Sequence, residues 1–86
     1  EEFQLSSDPD DLKNIQHRSL QDLQLGRRSG AMVLAIRDGD QLVANPGGDM
    51  QLGPGQLLIV LGSKSQLAAF QDLLGVAVER IEIMPS

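Results

Sequence analysis

Cysteine is absent from this 86-residue chain, as are tryptophan and tyrosine, and histidine occurs once. Without cysteine there can be no disulfide and no thiolate metal site, and a single histidine cannot supply a histidine-based metal cluster. Because only two phenylalanines are present, the core has to be built mainly from aliphatic side chains. The lack of disulfides suits a reducing compartment such as the cytoplasm.

Long apolar runs are also missing. No run approaches the roughly 20 residues that a membrane-spanning helix requires, so we expect no direct membrane insertion. Hydrophobic residues make up 41% of the chain and charged residues 22%, which is typical of a folded domain. The first residues, Glu1 to Phe3, lack an initiator Met and a basic signal sequence. We therefore expect residues 1–86 to be one domain of a longer protein.

The net charge is −5, and its distribution matters more than its size. Five of the twelve acidic residues precede the first basic residue, Lys13, and the rest of the chain is balanced. No basic stripe exists, and the two phenylalanines offer no aromatic platform on which bases could stack. The charge pattern therefore predicts no nucleic-acid partner.

The apolar runs predict the centre of a β-sheet. Residues 31–36 and 57–61 are continuously apolar, as in strands that are covered on both faces. The turn dipeptide Asp38-Gly39 predicts a hairpin that returns through residues 41–44. Alternation over residues 2–5 predicts an edge strand, and residues 76–84 predict another strand with a break near residue 79.

Helix signals flank these strands. Ser19 is typical of an N-cap for a short helix that Gly26 should end, after a loop at residues 6–18 that has room for one helical turn. Ser63 and Gln66 match a capping box for a second helix that ends at Gly75. The expected fold is thus α/β (α+β), with two helices on a mostly antiparallel sheet of about five strands. We expect its core to contain Val33, Leu34, Ile36, Leu58, Val60, Leu67 and Phe70.

The sequence offers few residues that could carry out catalysis. His17 lies in a polar loop, where an exposed role is favoured over that of a general base. Ser63 follows Gly62 but lacks the second glycine of a nucleophile elbow, and helix capping explains it. The glycines at 47–48 and 53–55 match no phosphate-binding fingerprint and indicate turns. We therefore expect no catalytic residues, no resident cofactor and no enzyme.

Two charged groups leave alternatives open. Asp38 and Asp40 could share a cation, but two carboxylates are few for such a site, and a solvated turn is favoured. Arg27 and Arg28 close the first helix, where cations suit the helix dipole, and Arg37 ends an apolar strand. Arginine also suits phosphates and carboxylates, although ordinary salt bridges remain the simpler interpretation.

Four segments in order resemble the RCK-C (TrkA-C) family of regulatory domains. They are Ser-Leu-Gln-Asp-Leu at 19–23, Arg-Ser-Gly-Ala-Met-Val-Leu-Ala-Ile-Arg-Asp-Gly at 28–39, Asn-Pro at 45–46, and Gly-Gln-Leu-Leu-Ile-Val-Leu-Gly at 55–62. The resemblance covers residues 2–74, so residues 75–86 would be an additional C-terminal strand. It departs from the family where Gln56 stands in place of the usual Asp, and where His17-Arg18 replaces Gly-Lys.

The resemblance implies a cytoplasmic regulatory domain of a potassium channel or cation transporter, on the cytoplasmic side of the cell membrane. Such domains usually follow a nucleotide-binding RCK subdomain attached to a membrane pore. They form homodimers, and some bind cyclic di-AMP or a cation between the two copies. Purely structural dimerisation without a ligand, or regulation of another ion transporter, are the alternatives.

The apolar strands give the dimer a physical reason. Two helices can cover one sheet face, and a second copy related by a two-fold axis would cover the other. A ligand on that axis would meet each contributing side chain twice. We expect Arg37, Asn45 and Pro46 to contact it.

Overall fold

A four-stranded antiparallel sheet forms the centre of the computed structural model, which describes residues 1–79. Three α-helical segments and two 3-10 turns, at Pro9–Leu12 and Gly75–Ala77, accompany it. In chain order the strands and helices are β1 (Glu2–Gln4), α1 (Leu20–Leu23), α2 (Leu25–Ser29), β2 (Met32–Asp38), β3 (Gln41–Ala44), β4 (Leu57–Leu61) and α3 (Lys64–Leu74).

Strands β2 and β4, the two apolar runs, occupy the centre of the sheet as the sequence predicts. The strand order is β1-β4-β2-β3, and β2 and β3 form the expected hairpin. Along β2 the pairing with β4 shifts by one residue between Val33 and Ala35, which marks a β-bulge at Leu34. The α+β fold class with helices on an antiparallel sheet is therefore confirmed.

One face of the sheet carries the core. Phe3 and Ile36 both pair with Leu58, so their side chains share a face, and α3 packs there through Phe70. The rings of Phe3 and Phe70 lie 5.2 Å apart, centre to centre. Ile36, Leu58, Val60 and Phe70 are buried, as predicted.

Three of the predicted core residues are not fully buried. Val33 and Leu67 are half-buried against the core, and Leu34 is 36% exposed. The bulge explains Leu34, because an extra residue in one strand breaks the strict alternation between the two faces. The sequence also predicts coverage on both faces, whereas in the single chain the helices cover only one.

Helix α3 confirms its predicted capping box. The Ser63 Oγ accepts from the Gln66 N–H at 3.2 Å, and the Gln66 Oε1 accepts from the Ser63 N–H at 2.8 Å. The helix ends at Leu74, before Gly75, which has a positive φ. These caps satisfy backbone groups that a helix end otherwise leaves without partners.

The first helix differs from its prediction. Ser19 caps it as expected, but the helix is split in two because Gln24 adopts a left-handed conformation with φ 53°. Gly26 lies within α2 and does not end it. The end is Gly30, at φ 81°, where an added Cβ would lie 2.9 Å from the Gln66 side-chain nitrogen. Glycine is favoured there by the backbone conformation, which side chains resist.

The C-terminal part of the described chain also differs. A 3-10 turn at Gly75–Ala77 replaces the start of the predicted strand, and Val78 forms an isolated antiparallel bridge with Leu5. The rest of the predicted strand, residues 80–84, lies outside the described residues. Near the other end of the chain, the 3-10 turn at Pro9–Leu12 confirms the one helical turn expected in the loop at residues 6–18. Within residues 1–79, no helix is long and apolar enough to cross a membrane.

Phe70→Ala should lower the free energy of unfolding by about 3–5 kcal/mol, because a fully buried aromatic ring leaves a cavity. Urea titration followed by circular dichroism measures the change. Val76→Ala is the control: Val76 is 76% exposed, so its truncation should change stability by less than about 0.5 kcal/mol. Equal losses in the two variants would contradict the described packing of α3.

Candidate functional site

The loop after β3 carries two of the three residues predicted to bind a ligand. Asn45 and Pro46 follow Ala44 directly, at the end of the hairpin remote from its turn. The Asn45 N–H donates to the Leu34 carbonyl at 2.8 Å, next to the bulge. Asn45 adopts φ 50°, a left-handed conformation that asparagine tolerates better than most residues.

Backbone hydrogen bonds attach this loop to the first helix. The Gln21 N–H donates to the Gly48 carbonyl at 2.8 Å, and the Leu20 N–H donates to the Met50 carbonyl at 3.0 Å. Both donors belong to the first turn of α1, where backbone N–H groups have no partner within the helix. Gly48 approaches closely, since an added Cβ would lie 3.1 Å from the Cβ of Gln21. Loop and helix therefore form one hydrogen-bonded unit.

A cavity of about 540 Å³ lies between this unit and the start of β2. Its volume falls within the range of small-molecule sites, roughly 300–1,000 Å³. Three glycines, Gly26, Gly30 and Gly48, leave it unobstructed by side chains. Its polar side chains are Gln21, Gln24 and Arg27, and its apolar wall consists of Leu20, Leu25, Ala31, Met32, Val33 and Pro46.

Arg37 lies elsewhere. It is exposed, and the strand register aligns it with Leu42 and Leu57 on the sheet face away from α3. It stands three residues beyond Leu34 along β2, about 10 Å at 3.3 Å per residue. The structure thus keeps Asn45 and Pro46 in one loop, but of the three predicted residues only Pro46 lines the cavity, and Arg37 occupies the other end of the hairpin.

The sheet face that carries Arg37 is otherwise mostly apolar, and we call it the outer face. Leu57 and Ile59 are half-buried on it. Three other large apolar side chains on this face are exposed by about 60% of their area: Met32 (61%), Leu42 (59%) and Leu61 (61%). Met32 also lines the cavity. Cavity and outer face therefore meet at this side chain.

The hairpin turn gives a cation few ligands. Asp38 accepts a hydrogen bond at 3.4 Å from the Nε2 of Gln56, whose Oε1 in turn accepts from the Gly53 N–H. Gln56, one of the two departures from the family pattern, thus joins the hairpin to the next turn. Among residues 1–79, no three His, Cys, Asp or Glu side chains come close enough to hold a metal ion.

Sequence reasoning found the loop at Asn45 but missed the opposite wall of the cavity. That wall depends on the bend at Gln24, because the bend sets the direction of α2, which contributes Leu25, Gly26 and Arg27 to the cavity lining. Glutamine in a left-handed conformation has no clear sequence signal. The adjacent arginines were the available indication, and the helix-dipole interpretation accounted for them equally well.

Solved structures with a similar fold include RCK_C domains. The RCK_C domain dimer of S. agalactiae BusR in complex with c-di-AMP matches with a TM-score of 0.73 and 19% identity, over 86% of this chain and 92% of that chain. The RCK C domain of the potassium transport protein KtrA, in complex with cyclic diadenosine monophosphate, gives 0.67 and 22%, over 83% and 79%. The GsuK RCK domain gives 0.67 and 18% over 86% of this chain, which spans only 15% of the GsuK chain.

The sequence itself identifies the family. The TrkA-C domain family matches residues 12–75, and this chain belongs to it. The resemblance seen in the sequence pattern is thereby confirmed. No curated protein matches the sequence significantly.

The left-handed backbone conformation of Asn45 leads to a stability prediction that is independent of any ligand. Asn45→Ala should be less stable than Asn45→Gly by about 1 kcal/mol, because alanine resists the left-handed conformation and glycine does not. Thermal and urea unfolding of both variants measure this difference. If alanine proved equal to or better than glycine, the loop conformation would differ from the one described.

Proposed function

We propose that this chain is a ligand-sensing and dimer-forming regulatory domain of a potassium channel or cation transporter. Membership of the TrkA-C family supports a regulatory role, and KtrA is by name a potassium transport protein. The observation that carries the proposal is the position of Met32, in both the cavity wall and the apolar outer face. A second copy on the outer face would lie at the mouth of the cavity.

The ligand we propose is a cyclic dinucleotide, c-di-AMP, which is bound in the BusR and KtrA structures. Its two equivalent halves suit a site on a two-fold axis, where each contributing residue occurs twice. Asn45 and Pro46 would contact it from one copy. Arg37, on the outer face, would reach it from the partner copy or at the rim of the interface. A regulatory cation is the weaker proposal, since the hairpin turn offers two carboxylates.

Regulation would follow from differential affinity. A ligand that binds one arrangement of two subunits more tightly than another shifts the population toward that arrangement. We propose that a nucleotide-binding RCK subdomain and a membrane pore in the parent protein receive this shift, on the cytoplasmic side of the membrane. Because this chain spans only 15% of the GsuK chain that it matches, these partners would belong to a longer parent protein and not to this domain.

A transcription regulator is the alternative parent. BusR in complex with its busAB-promoter DNA matches with a TM-score of 0.74 and 19% identity, over 86% of this chain but only 34% of that chain. The expectation of no nucleic-acid partner is therefore not supported for a parent protein, although the acidic balance of this chain gives DNA no basic surface here. A purely structural dimerisation module is the alternative without a ligand.

Calorimetric titration with c-di-AMP tests the sensing role. Arg37→Ala and Asn45→Gly should each weaken binding by at least about tenfold if each side chain makes a hydrogen bond to the ligand, since bonds to charged groups contribute about 1.5–3 kcal/mol. Arg18→Ala is the matched control, because Arg18 is an exposed arginine in the loop before α1, outside both the sheet and the cavity lining.

The possible outcomes distinguish an error in the proposed ligand from an error in the residues assigned to bind it. Absence of any heat and of any thermal stabilisation by c-di-AMP would favour the structural module. Tight binding that Arg37→Ala leaves unchanged would show that the ligand is right and this residue assignment is wrong.

Sedimentation tests the dimer. The wild-type chain should sediment as a dimer at tens of micromolar, and Leu42→Glu should shift it to a monomer because a carboxylate would be buried in the interface. Leu42 pairs with Arg37 across the hairpin, so the new charge should be tolerated in the single chain. Val76→Glu, at another exposed apolar residue away from the outer face, should remain dimeric. A monomeric wild type would exclude the proposed homodimer.

A further inference from the structure

The cavity has an electrostatic character that the chain as a whole does not share. The protein carries a net charge of −5, yet the only charged residue lining the cavity among the described residues is Arg27. No Asp or Glu among residues 1–79 lines it. The two remaining polar side chains, Gln21 and Gln24, are neutral amides that can donate hydrogen bonds. The charge of the cavity wall therefore favours an anionic group.

Arg27 and Arg28 provide an internal comparison. Both are exposed, both belong to the five-residue helix α2, and both lie in its last turn. A stabilising effect on the helix dipole would apply to the two alike. Only Arg27 lines the cavity, because successive helix residues point in directions about 100° apart. The dipole interpretation therefore does not account for the position of Arg27.

The apolar wall limits the kind of ligand that can carry the anionic group. Besides Arg27 the cavity lining includes Leu25, Val33 and Pro46, whose side chains give a bare inorganic ion nothing to bind. An ion alone would also leave most of about 540 Å³ unfilled. Complementarity requires an anionic head next to the guanidinium and an apolar body against this wall. Arginine's planar fork of donors matches the oxygens of a phosphate particularly well.

We propose that this cavity binds a phosphate-bearing ligand with an apolar body, and that Arg27 is its phosphate contact. The proposal rests on the ligand-sensing function and extends it, since it adds a residue from α2 to a site otherwise assigned to the Asn45–Pro46 loop and to Arg37. The ligand would then touch both walls of the cavity. It would hold α2 against the loop that α1 already binds through its backbone.

Calorimetric titration of three variants with four compounds tests the assignment. The variants are Arg27→Ala, Arg27→Lys and, as the matched control, Arg28→Ala. The compounds are c-di-AMP, 5′-AMP, adenosine and inorganic phosphate, which separate the contribution of the phosphate from that of the apolar body. Alanine is the best helix former and both arginines are exposed, so the variants should fold. Unliganded melting temperatures equal to that of the wild type verify this.

Arg27→Ala should weaken binding of the phosphate-bearing nucleotide that the wild type binds by about 10-fold to 100-fold, as expected for loss of a charge-assisted hydrogen bond. Arg28→Ala should change it by less than about twofold, as for an exposed charge outside the site. Arg27→Lys should fall between them, because it keeps the charge but loses the fork. Adenosine and inorganic phosphate should each bind much more weakly than the nucleotide.

The two proposals fail in different ways. Arg27-dependent binding of 5′-AMP without binding of c-di-AMP would support the cavity assignment and overturn the cyclic dinucleotide as the ligand. Binding of c-di-AMP that falls with Arg37→Ala but not with Arg27→Ala would retain the sensing function and overturn the role of Arg27. Equal effects of Arg27→Ala and Arg28→Ala would also overturn it, since they would indicate only general electrostatic attraction. A wild type that binds none of the compounds would overturn both.

Discussion

The antiparallel pairing of β2 with β4 is the interaction on which the other parts of the structure depend. Both strands consist almost entirely of apolar residues, so neither can lie at the surface without exposing a row of them. Placing them side by side satisfies the backbone groups of each and gives the sheet one face for α3. It also leaves a second apolar face that the single chain does not cover. The same pairing thus provides both the core and the surface available for another copy.

The bulge at Leu34 connects this sheet to the candidate site. By inserting one residue it interrupts the regular pairing of β2 with β4, next to the carbonyl that accepts from the Asn45 N–H. The Asn45 loop is then held by backbone bonds to α1. A displacement of the loop would have to move α1 with it or break those bonds. A ligand that contacted Asn45, as proposed, would therefore have a direct physical route to the helices, through backbone groups that need no particular side chain.

Periodicity and capping predicted most of the fold. The apolar run of β4, the hairpin at Asp38-Gly39 and the capping box at Ser63 each express a local physical rule and were found where the sequence placed them. Two features were not predictable in this way. A bulge adds one residue without a distinct residue type, and the left-handed Gln24 is held by surrounding structure against its own preference.

The site was less predictable than the fold for the same reason. Asn45 and Pro46 were expected from the family pattern, and of the two only Pro46 lines the cavity. The other wall of the cavity, however, requires Gln24 to redirect α2, so its contribution could be recognised only in three dimensions. Arg37 shows the reverse case. It fits the family pattern, but one chain places it about 10 Å along the strand from Leu34, so joining it to Asn45 requires a two-chain site.

The energy available on the outer face bears on why such a domain could sense a ligand. Burying a large apolar side chain contributes about 1.5–3 kcal/mol, and Met32, Leu42 and Leu61 each have about 60% of their area left to bury. Two copies would gain about 5–10 kcal/mol from these six side chains, against an association cost of about 4–15 kcal/mol. An interface built on these residues alone is therefore closely balanced. A ligand that binds in the cavity beside Met32 would contribute a free energy comparable to the net free energy of dimerisation, and so would shift the monomer–dimer equilibrium. A large apolar interface would be stable without the ligand and would respond little to it.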